Sequence, residues 1–418
     1  MTQKKVVVVG GGIVGLCTAY FLQKEGHEVT VIDQGNLSAG ASHVNAGYLT
    51  PSHIVPMAAP GMVAKGFRWM FKSSSPFYIK PRLDKDLIKW GIKFMKSCTT
   101  AHVQRSIQTI LDINILSKQL YLEMQSEEDF DFHLETKGLL MAYKTTQAEK
   151  EEAEVVAWAR DLGLKIDQLS PSEVLEKQPD TPMDIAGAFW YESDAHSTPE
   201  LFMKNLLSLL KKKGVTFLTG EAVTHFKTSG TRINKVCTSK HQVQADETVI
   251  ASGAWSESLL KQLGIQLSVQ AGKGYRINVT QPTGINLPAI LLESKVAVTP
   301  MQGFTRFGGT MELSGINHQI NTKRVQAIAQ AATAYYPNVV PSQTTLADVK
   351  CGLRPLSPDG LPFIGRHSKC TNLVLATGHS MMGWSLGPAT GKLVTELISD
   401  QITTLSLSPF SAERKYGG

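Results

Sequence analysis

The residues best suited to chemistry come at the start of the chain. Gly10, Gly12 and Gly15 stand in the spacing Gly-x-Gly-x-x-Gly directly after the run VVVV. Such a turn brings a dinucleotide pyrophosphate to a helix N-terminus. Gly10 permits the tight bend, Gly12 lets the backbone approach the phosphates, and Gly15 lets helix and strand pack closely. Ile13 and Val14 open that helix and are placed with the cofactor. Asp33 ends the next apolar run, where a carboxylate accepts hydrogen bonds from both ribose hydroxyls and selects a 2′-hydroxyl over a 2′-phosphate. Together these residues specify a dinucleotide and leave open which one.

The elements that must position them follow the same logic. Residues 5–9 are β-branched and apolar throughout, the pattern of a parallel strand buried on both faces. Residues 13–25 predict a helix stopped by Gly26, and residues 27–32 predict a second strand ending at Asp33. Residues 36–61, rich in Gly, Ser, Asn and Pro, predict an ordered loop. A basic helical stretch runs from 62 to about 125, and further helices are predicted over 149–162 and 199–213. A strand over 248–251 leads into a small-residue turn. From 265 to 349, short strand patterns alternate with Gly and Pro turns around one helix near 322–336, an antiparallel signature. A strand over 373–376 and a helix over 386–398 restore α/β character. The expected fold is therefore α/β: a discontinuous Rossmann-type dinucleotide-binding domain (1–61, 196–266 and 347–418). Into it is inserted an α+β substrate domain built on an antiparallel sheet (62–195 and 267–346).

At 418 residues the chain is too long for one simple core. Hydrophobic residues make up 42% and charged residues 19%, a globular balance. The net charge of +6 is mild for this length and points to no nucleic acid, though it eases binding of anionic cofactors, carboxylates or acidic lipid. Five scattered cysteines offer no CxxC pair, no zinc cluster and no disulfide framework, which fits a reducing compartment. The absence of a CxxxxC pair near the N-terminus argues against a disulfide reductase. No apolar run reaches the length of a membrane span, so the expected location is cytoplasmic, at most peripheral on the inner membrane face.

Further motifs separate the dinucleotides. Ser42-x-x-Asn45-Ala46-Gly47 follows the ribose acid closely, and the run 247–256 ends in Ala251-Ser252-Gly253-Ala254-Trp255. The tail supplies Gly352-Leu353-Arg354-Pro355, Pro358-Asp359-Gly360-Leu361-Pro362, Ile364-Gly365 and Ala376-Thr377-Gly378-His379. In this order the motifs resemble the D-amino acid oxidase and dehydrogenase superfamily of flavoproteins, over nearly the whole chain. The bacterial FAD-dependent D-amino acid dehydrogenases are most similar, notably from Asn45-Ala46-Gly47 through Ala58-Ala59-Pro60-Gly61 to Trp69-Met70-Phe71.

That resemblance implies FAD and roles for named residues. Arg354 matches the arginine that pairs with the substrate carboxylate, a task suited to a planar guanidinium fork. Gly352 would let backbone approach the ring system. Ser42, Asn45, Ala46 and Gly47 would form the loop donating to flavin and pyrophosphate. Val223, Ala251, Gly253, Trp255, Gly378, Met382 and Gly383 join the cofactor set. The helix after Gly378–Leu386, with Pro388 in its first turn, would aim its N-terminus at the flavin. Tyr275 either closes the pocket or is simply packed in its sheet. His53 and His379 are polar wall residues rather than bases, because hydride can pass from Cα of a neutral amine to flavin N5 without a protein base. No cysteine stands near Met381-Met382, so the flavin is expected to be non-covalent, and no metal site is expected.

The implied reaction is oxidative deamination of a D-amino acid, or of a cyclic one such as D-hydroxyproline or D-proline, with electrons passing to a quinone-type acceptor. A glycine-, sarcosine- or proline-type amine oxidase using oxygen is the alternative; a flavin-bearing RNA-modification protein, favoured weakly by the net positive charge, would need an aromatic-studded basic groove or an extra methyltransferase domain. Residues 62–96 carry Lys65, Arg68, Lys72, Lys80, Arg82, Lys85, Lys89, Lys93 and Lys96 among Phe67, Trp69, Met70, Phe71, Phe77, Tyr78, Trp90, Phe94 and Met95. Such a stretch either docks on an anionic bilayer or forms amphipathic helices with aromatics inward and lysines outward.

Overall fold

The computed structural model describes residues 2–64, 66 and 75–417. Lys65, Phe67, Arg68, Trp69, Met70, Phe71 and Lys72 of the basic stretch lie outside the described residues.

The apolar run Lys5–Val9 forms a central strand, with Val6, Val7, Val8 and Val9 all buried. It pairs in parallel with Glu28–Asp33 on one side and Glu247–Ile250 on the other. Thr216–Thr219 extends this sheet beyond Glu28–Asp33; Cys370–Thr377 and the antiparallel Phe363–His367 extend the other edge. Helices Ile13–Lys24 and Gly387–Ile398 pack on it with very close backbones. A Cβ at Gly391 would sit 2.6 Å from the Cys17 carbonyl carbon, and one at Gly387 would sit 2.7 Å from Ile13 Cγ1. Side chains there would force the two helices apart.

A nine-stranded sheet forms the second layer, in the order Lys350–Leu356, Gln270–Val279, Phe304–Leu313, Val296–Met301, Ala289–Leu291, Leu139–Tyr143, Gly187–Tyr191 and Ile166–Leu169, with Phe77–Ile79 beside Phe304–Leu313. It is largely antiparallel, as the turn-rich sequence predicts. Two pairings depart from that expectation: Ala289–Leu291 runs parallel to Leu139–Tyr143, and Phe77–Ile79 runs parallel to Phe304–Leu313. Both join segments far apart in the chain, so no hairpin dictates their direction. Lys350–Leu356 pairs with Gln270–Val279 at the edge of this sheet, so Arg354 is presented by the larger sheet rather than by the parallel one. Val223–Ser229, Arg232–Thr238 and Gln242–Gln244 form a small antiparallel meander, and Tyr48–Leu49 pairs with Ala195–His196.

Helix Lys85–Ser97 begins at Asp84, whose carboxylate accepts from the Asp86 and Leu87 amides, and Thr100–Glu127 is capped by Thr99. The 170–177 segment starts with the full Ser170–Glu173 capping box.

Candidate active site

A cavity of about 560 Å3 is lined by both sheets. At one end lie the glycine turn and Asp33. Gly10 has φ +109°, and a Cβ there would meet the Ala251 carbonyl oxygen at 2.5 Å. A Cβ at Gly15 would sit 1.8 Å from the Gly10 carbonyl oxygen, so helix and strand touch there, and Gly15 itself does not line the cavity. Gly12 differs: its missing Cβ would meet only the Ser42 hydroxyl, at 3.2 Å, leaving that face open to the cavity. The bend at Gly10 and the close packing at Gly15 are what the spacing predicts, and Gly12 presents an open face where a pyrophosphate would approach. At Gly11, too, a side chain would strike Leu37 at 2.2 Å.

Asp33 is held at the wall by amides. Its Oδ2 accepts from Gly11 N at 2.7 Å and its Oδ1 from Gly35 N at 2.7 Å, which leaves a lone pair on each oxygen for a ribose hydroxyl. Sequence reasoning missed a second acid beside it. Glu221 lines the same end and accepts from Thr238 Oγ1 at 2.7 Å and His241 Nδ1 at 2.9 Å. The His241 hydrogen bond, followed by that of Thr238, holds its carboxyl below the usual range. Two carboxylates make this end hostile to a 2′-phosphate. Ile13, Val14, Ser42, Asn45, Val223, Ala251, Gly253, Trp255, Gly352 and Gly383 all line the cavity. The Ile13 amide is already taken by Ser42 Oγ at 2.9 Å.

Arg354 lines the same cavity. Its guanidinium lies directly over Gly274, where a Cβ would fall 2.2, 2.4 and 2.5 Å from Nη1, Nη2 and Cζ. Nη1 donates to the Thr310 carbonyl at 2.9 Å, a residue held at φ +70°. No carboxylate among the described residues pairs with it. Burial alone lowers its pKa to about 10, so it stays charged at neutral pH. A half-buried cation without an anion is costly, and a ligand carboxylate is its natural complement. Gly274 directly precedes Tyr275, but its role as the bed for Arg354 was not foreseen. The available signal was strand alternation: Gly272 and Gly274 face one side, Lys273 and Tyr275 the other.

That alternation corrects the role given to Tyr275. It is buried away from the cavity, and its hydroxyl donates to Glu312 Oε2 at 2.9 Å beside the Lys273–Glu312 ion pair at 3.1 Å. His53 also lies off the cavity; its Nδ1 contacts Ser52 Oγ at 3.2 Å, and burial lowers its pKa to about 4. His379 does line the wall, with Nε2 on Thr390 Oγ1 at 2.9 Å, and burial lowers its pKa to about 3, so it is neutral. Gly47 and Ala46 lie behind the loop. A Cβ on Gly47 would strike the Ser197 carbonyl at 2.2 Å, and the Ala46 carbonyl accepts from Thr299 Oγ1. Gly378 makes room for Phe363 rather than cofactor. Met382 turns into the core near Asn114, while its neighbour Met381 lines the cavity and is 57% exposed. Gly352 lines the cavity, yet its missing side chain chiefly accommodates the turn Ala41–Val44, with Val44 Cγ2 only 2.3 Å from the Cβ position. The Gly387–Ile398 helix starts behind the wall, and its Ala389 amide is satisfied by Ser117 Oγ at 3.3 Å. His318, unforeseen, lines the cavity and lies nearly parallel to Trp255, ring centroids 6.4 Å apart.

The cavity's size, the open Gly12 face and the paired acids fit FAD. Residues 5–397 match the family model described as DAO, FAD dependent oxidoreductase. A D-amino acid dehydrogenase of Neisseria meningitidis serogroup C / serotype 2a is 32% identical, over 98% of this chain and 99% of that protein. One from Vibrio vulnificus is 31% identical over 95% of this chain and 96% of that protein. Among solved structures, glycine oxidase from Geobacillus kaustophilus matches with a TM-score of 0.78 at 22% identity, covering 99% of this chain and 100% of that one. L-proline dehydrogenase from P. horikoshii matches with a TM-score of 0.73 at 19% identity, covering 99% and 97%. At such identities these two likenesses speak for the fold alone. The family match and the near-complete overlap with the curated relatives carry the assignment: this chain belongs to the DAO family of FAD-dependent oxidoreductases.

Proposed function

We propose that this enzyme oxidises the Cα–N bond of a D-amino acid, a cyclic one such as D-proline included, and passes the electrons to a quinone-type acceptor. The observation that carries the reading is Arg354, half-buried, with no carboxylate partner among the described residues, laid on Gly274 in the cavity that also holds the glycine turn. FAD, when bound, supplies the acceptor for the hydride leaving Cα. Arg354 binds the substrate carboxylate bidentately and thereby fixes the direction of the Cα–H bond. Thr310 steadies the guanidinium from behind. Neutral His379 keeps the wall polar without carrying a proton away, and the substrate enters as the free amine. Water then hydrolyses the imine of a primary amine to a 2-oxo acid and ammonia, whereas a cyclic substrate ends at the cyclic imine. Among the described residues no cysteine lines the cavity, which supports a flavin held without a covalent tether. The relatives' names support D-amino acids as the substrate class.

The acceptor reading draws on helix Lys85–Ser97. Trp90 is buried, stacks on Phe94 at 5.2 Å and donates to the Leu356 carbonyl at 2.9 Å, so this face belongs to the core. The opposite face exposes Ile88, Ile92 and Met95 alongside Lys85, Lys89 and Lys96, with Leu83 fully exposed just before it. Apolar residues rimmed by lysines suit an anionic membrane surface, where each Lys contributes about 1 kcal/mol. No helix among the described residues is long and apolar enough to cross a membrane. The test is anaerobic mixing with D- and L-amino acids, followed by a quinone analogue or oxygen, with and without anionic vesicles. Bleaching by D-amino acids and faster return with quinone support the reading. Bleaching by L-amino acids alone refutes the substrate assignment. Rapid peroxide formation without low-salt vesicle binding refutes the acceptor.

A further inference from the structure

Arg306 is fully buried on the strand Phe304–Leu313, outside the cavity wall. All three guanidinium nitrogens are engaged. Nε donates to Asn278 Oδ1 at 3.0 Å, Nη2 pairs with the Glu200 carboxylate, and Nη1 donates to two carbonyl oxygens, His43 at 3.1 Å and Asn45 at 2.8 Å. These carbonyls flank the C-terminal end of the turn Ala41–Val44, where a helix leaves its acceptors without partners. Ala41, Ser42, Val44 and Asn45 of the same segment line the cavity. The Asn45 side chain cannot hold the segment in place from outside, because it bonds within its own loop to Ser42 O and Gly47 N.

Four residues further along the same strand, the Thr310 carbonyl accepts from Arg354. One strand therefore anchors both the loop on the cofactor side and the arm that takes the substrate carboxylate. We propose that Arg306 is a positioning residue that sets the 41–45 loop in register with Arg354, and so sets cofactor against substrate. Its planar fork sets Nη1 on both carbonyls while Nη2 faces Glu200. A lysine would keep the charge opposite Glu200 but could not reproduce the fork.

The test uses Arg306→Lys, Arg306→Ala and Asn278→Ala, the last removing only the Nε acceptor. FAD affinity is measured by reconstituting apoprotein and following flavin fluorescence, together with the visible band shape of the bound flavin and the kinetics of the loaded enzyme. Arg306→Lys should weaken FAD binding about tenfold, alter the band shape, and lower kcat with KM nearly unchanged, since Arg354 and its bed are untouched. Asn278→Ala should shift the same readouts less. Guanidinium ion should restore FAD affinity and band shape to Arg306→Ala. Wild-type affinity and band shape in both Arg306→Lys and Asn278→Ala would overturn the proposal. So would a loss of affinity that only tracks lower apoprotein stability, with a wild-type band shape in the remaining bound flavin and no guanidinium rescue.

Discussion

Gly274→Ala isolates the carboxylate arm without touching its chemistry. The added methyl would fall 2.2 Å from Arg354 Nη1 and 2.5 Å from Cζ, more than 1 Å inside ordinary contact. Gly274 has no positive φ, though the pairing with Phe304–Leu313 shifts register beside it, and the obstructed atoms are the far end of a flexible side chain, so the guanidinium moves and the strand stays. Displacing a substrate-orienting group by about 1 Å costs on the order of 10²-fold in rate, or about 2.7 kcal/mol of transition-state stabilisation. The variant should therefore keep its FAD and its thermal midpoint while kcat/KM for D-amino acids falls about 10²-fold. Steady-state turnover at matched flavin content measures this. A substrate amide lacking the carboxylate serves as control and should show little further loss. Undiminished kcat/KM at full flavin content would refute the placement of the carboxylate on Arg354.

Gly12→Val should yield apoprotein, because its Cβ face opens on the cavity rather than on protein; stoichiometric FAD in the purified variant would contradict this. Arg354→Ala should retain flavin and lose on the order of 10² or more in kcat/KM, with incomplete recovery in Arg354→Lys, as read by turnover at saturating acceptor. Asp194, fully buried and accepting from Ser52 N at 3.1 Å and Ser52 Oγ at 2.5 Å, has its carboxyl raised by burial to about 7 from 3.8. The folded chain then binds more protons than the unfolded one between those values, so this group makes stability fall as pH rises through that window. The shift corresponds to about 4 kcal/mol at most. Asp194→Asn should flatten that part of the thermal midpoint's pH profile, and an unchanged slope would contradict the shift.

The glycine turn was legible because each glycine answers a local backbone need: a left-handed φ at Gly10, close packing at Gly15, an open face at Gly12. Asp33 follows from strand length alone. Arg354 was legible only through resemblance to a family, since its lack of a partner depends on what Gln270–Val279 and Phe304–Leu313 bring beside it. Tyr275 shows why the rest was hidden. It and Gly274 are neighbours, and only the pairing of Gly274 with Gly352 at the sheet edge decides which one meets the cavity. Met381 and Met382 pose the same question in a loop, where no periodicity answers it. Gly47, Gly352 and Gly378 were singled out by resemblance as cofactor positions, and the structure shows each as a place where a side chain would clash. Their crowding comes from Ser197, Val44 and Phe363, residues remote in the chain. The parallel pairing of Phe77–Ile79 is hidden for the same reason.

The most direct test of the central claim is a single anaerobic turnover, with flavin absorbance followed after mixing with a D-amino acid carrying hydrogen or deuterium at Cα. The proposed function predicts full bleaching by the D-enantiomer, slowed several-fold by deuterium, with one 2-oxo acid formed per flavin and no bleaching by the L-enantiomer. A flavin that stays oxidised with every D-amino acid, or bleaching indifferent to deuterium when bond cleavage limits the rate, would contradict hydride transfer from a carboxylate-anchored D-amino acid.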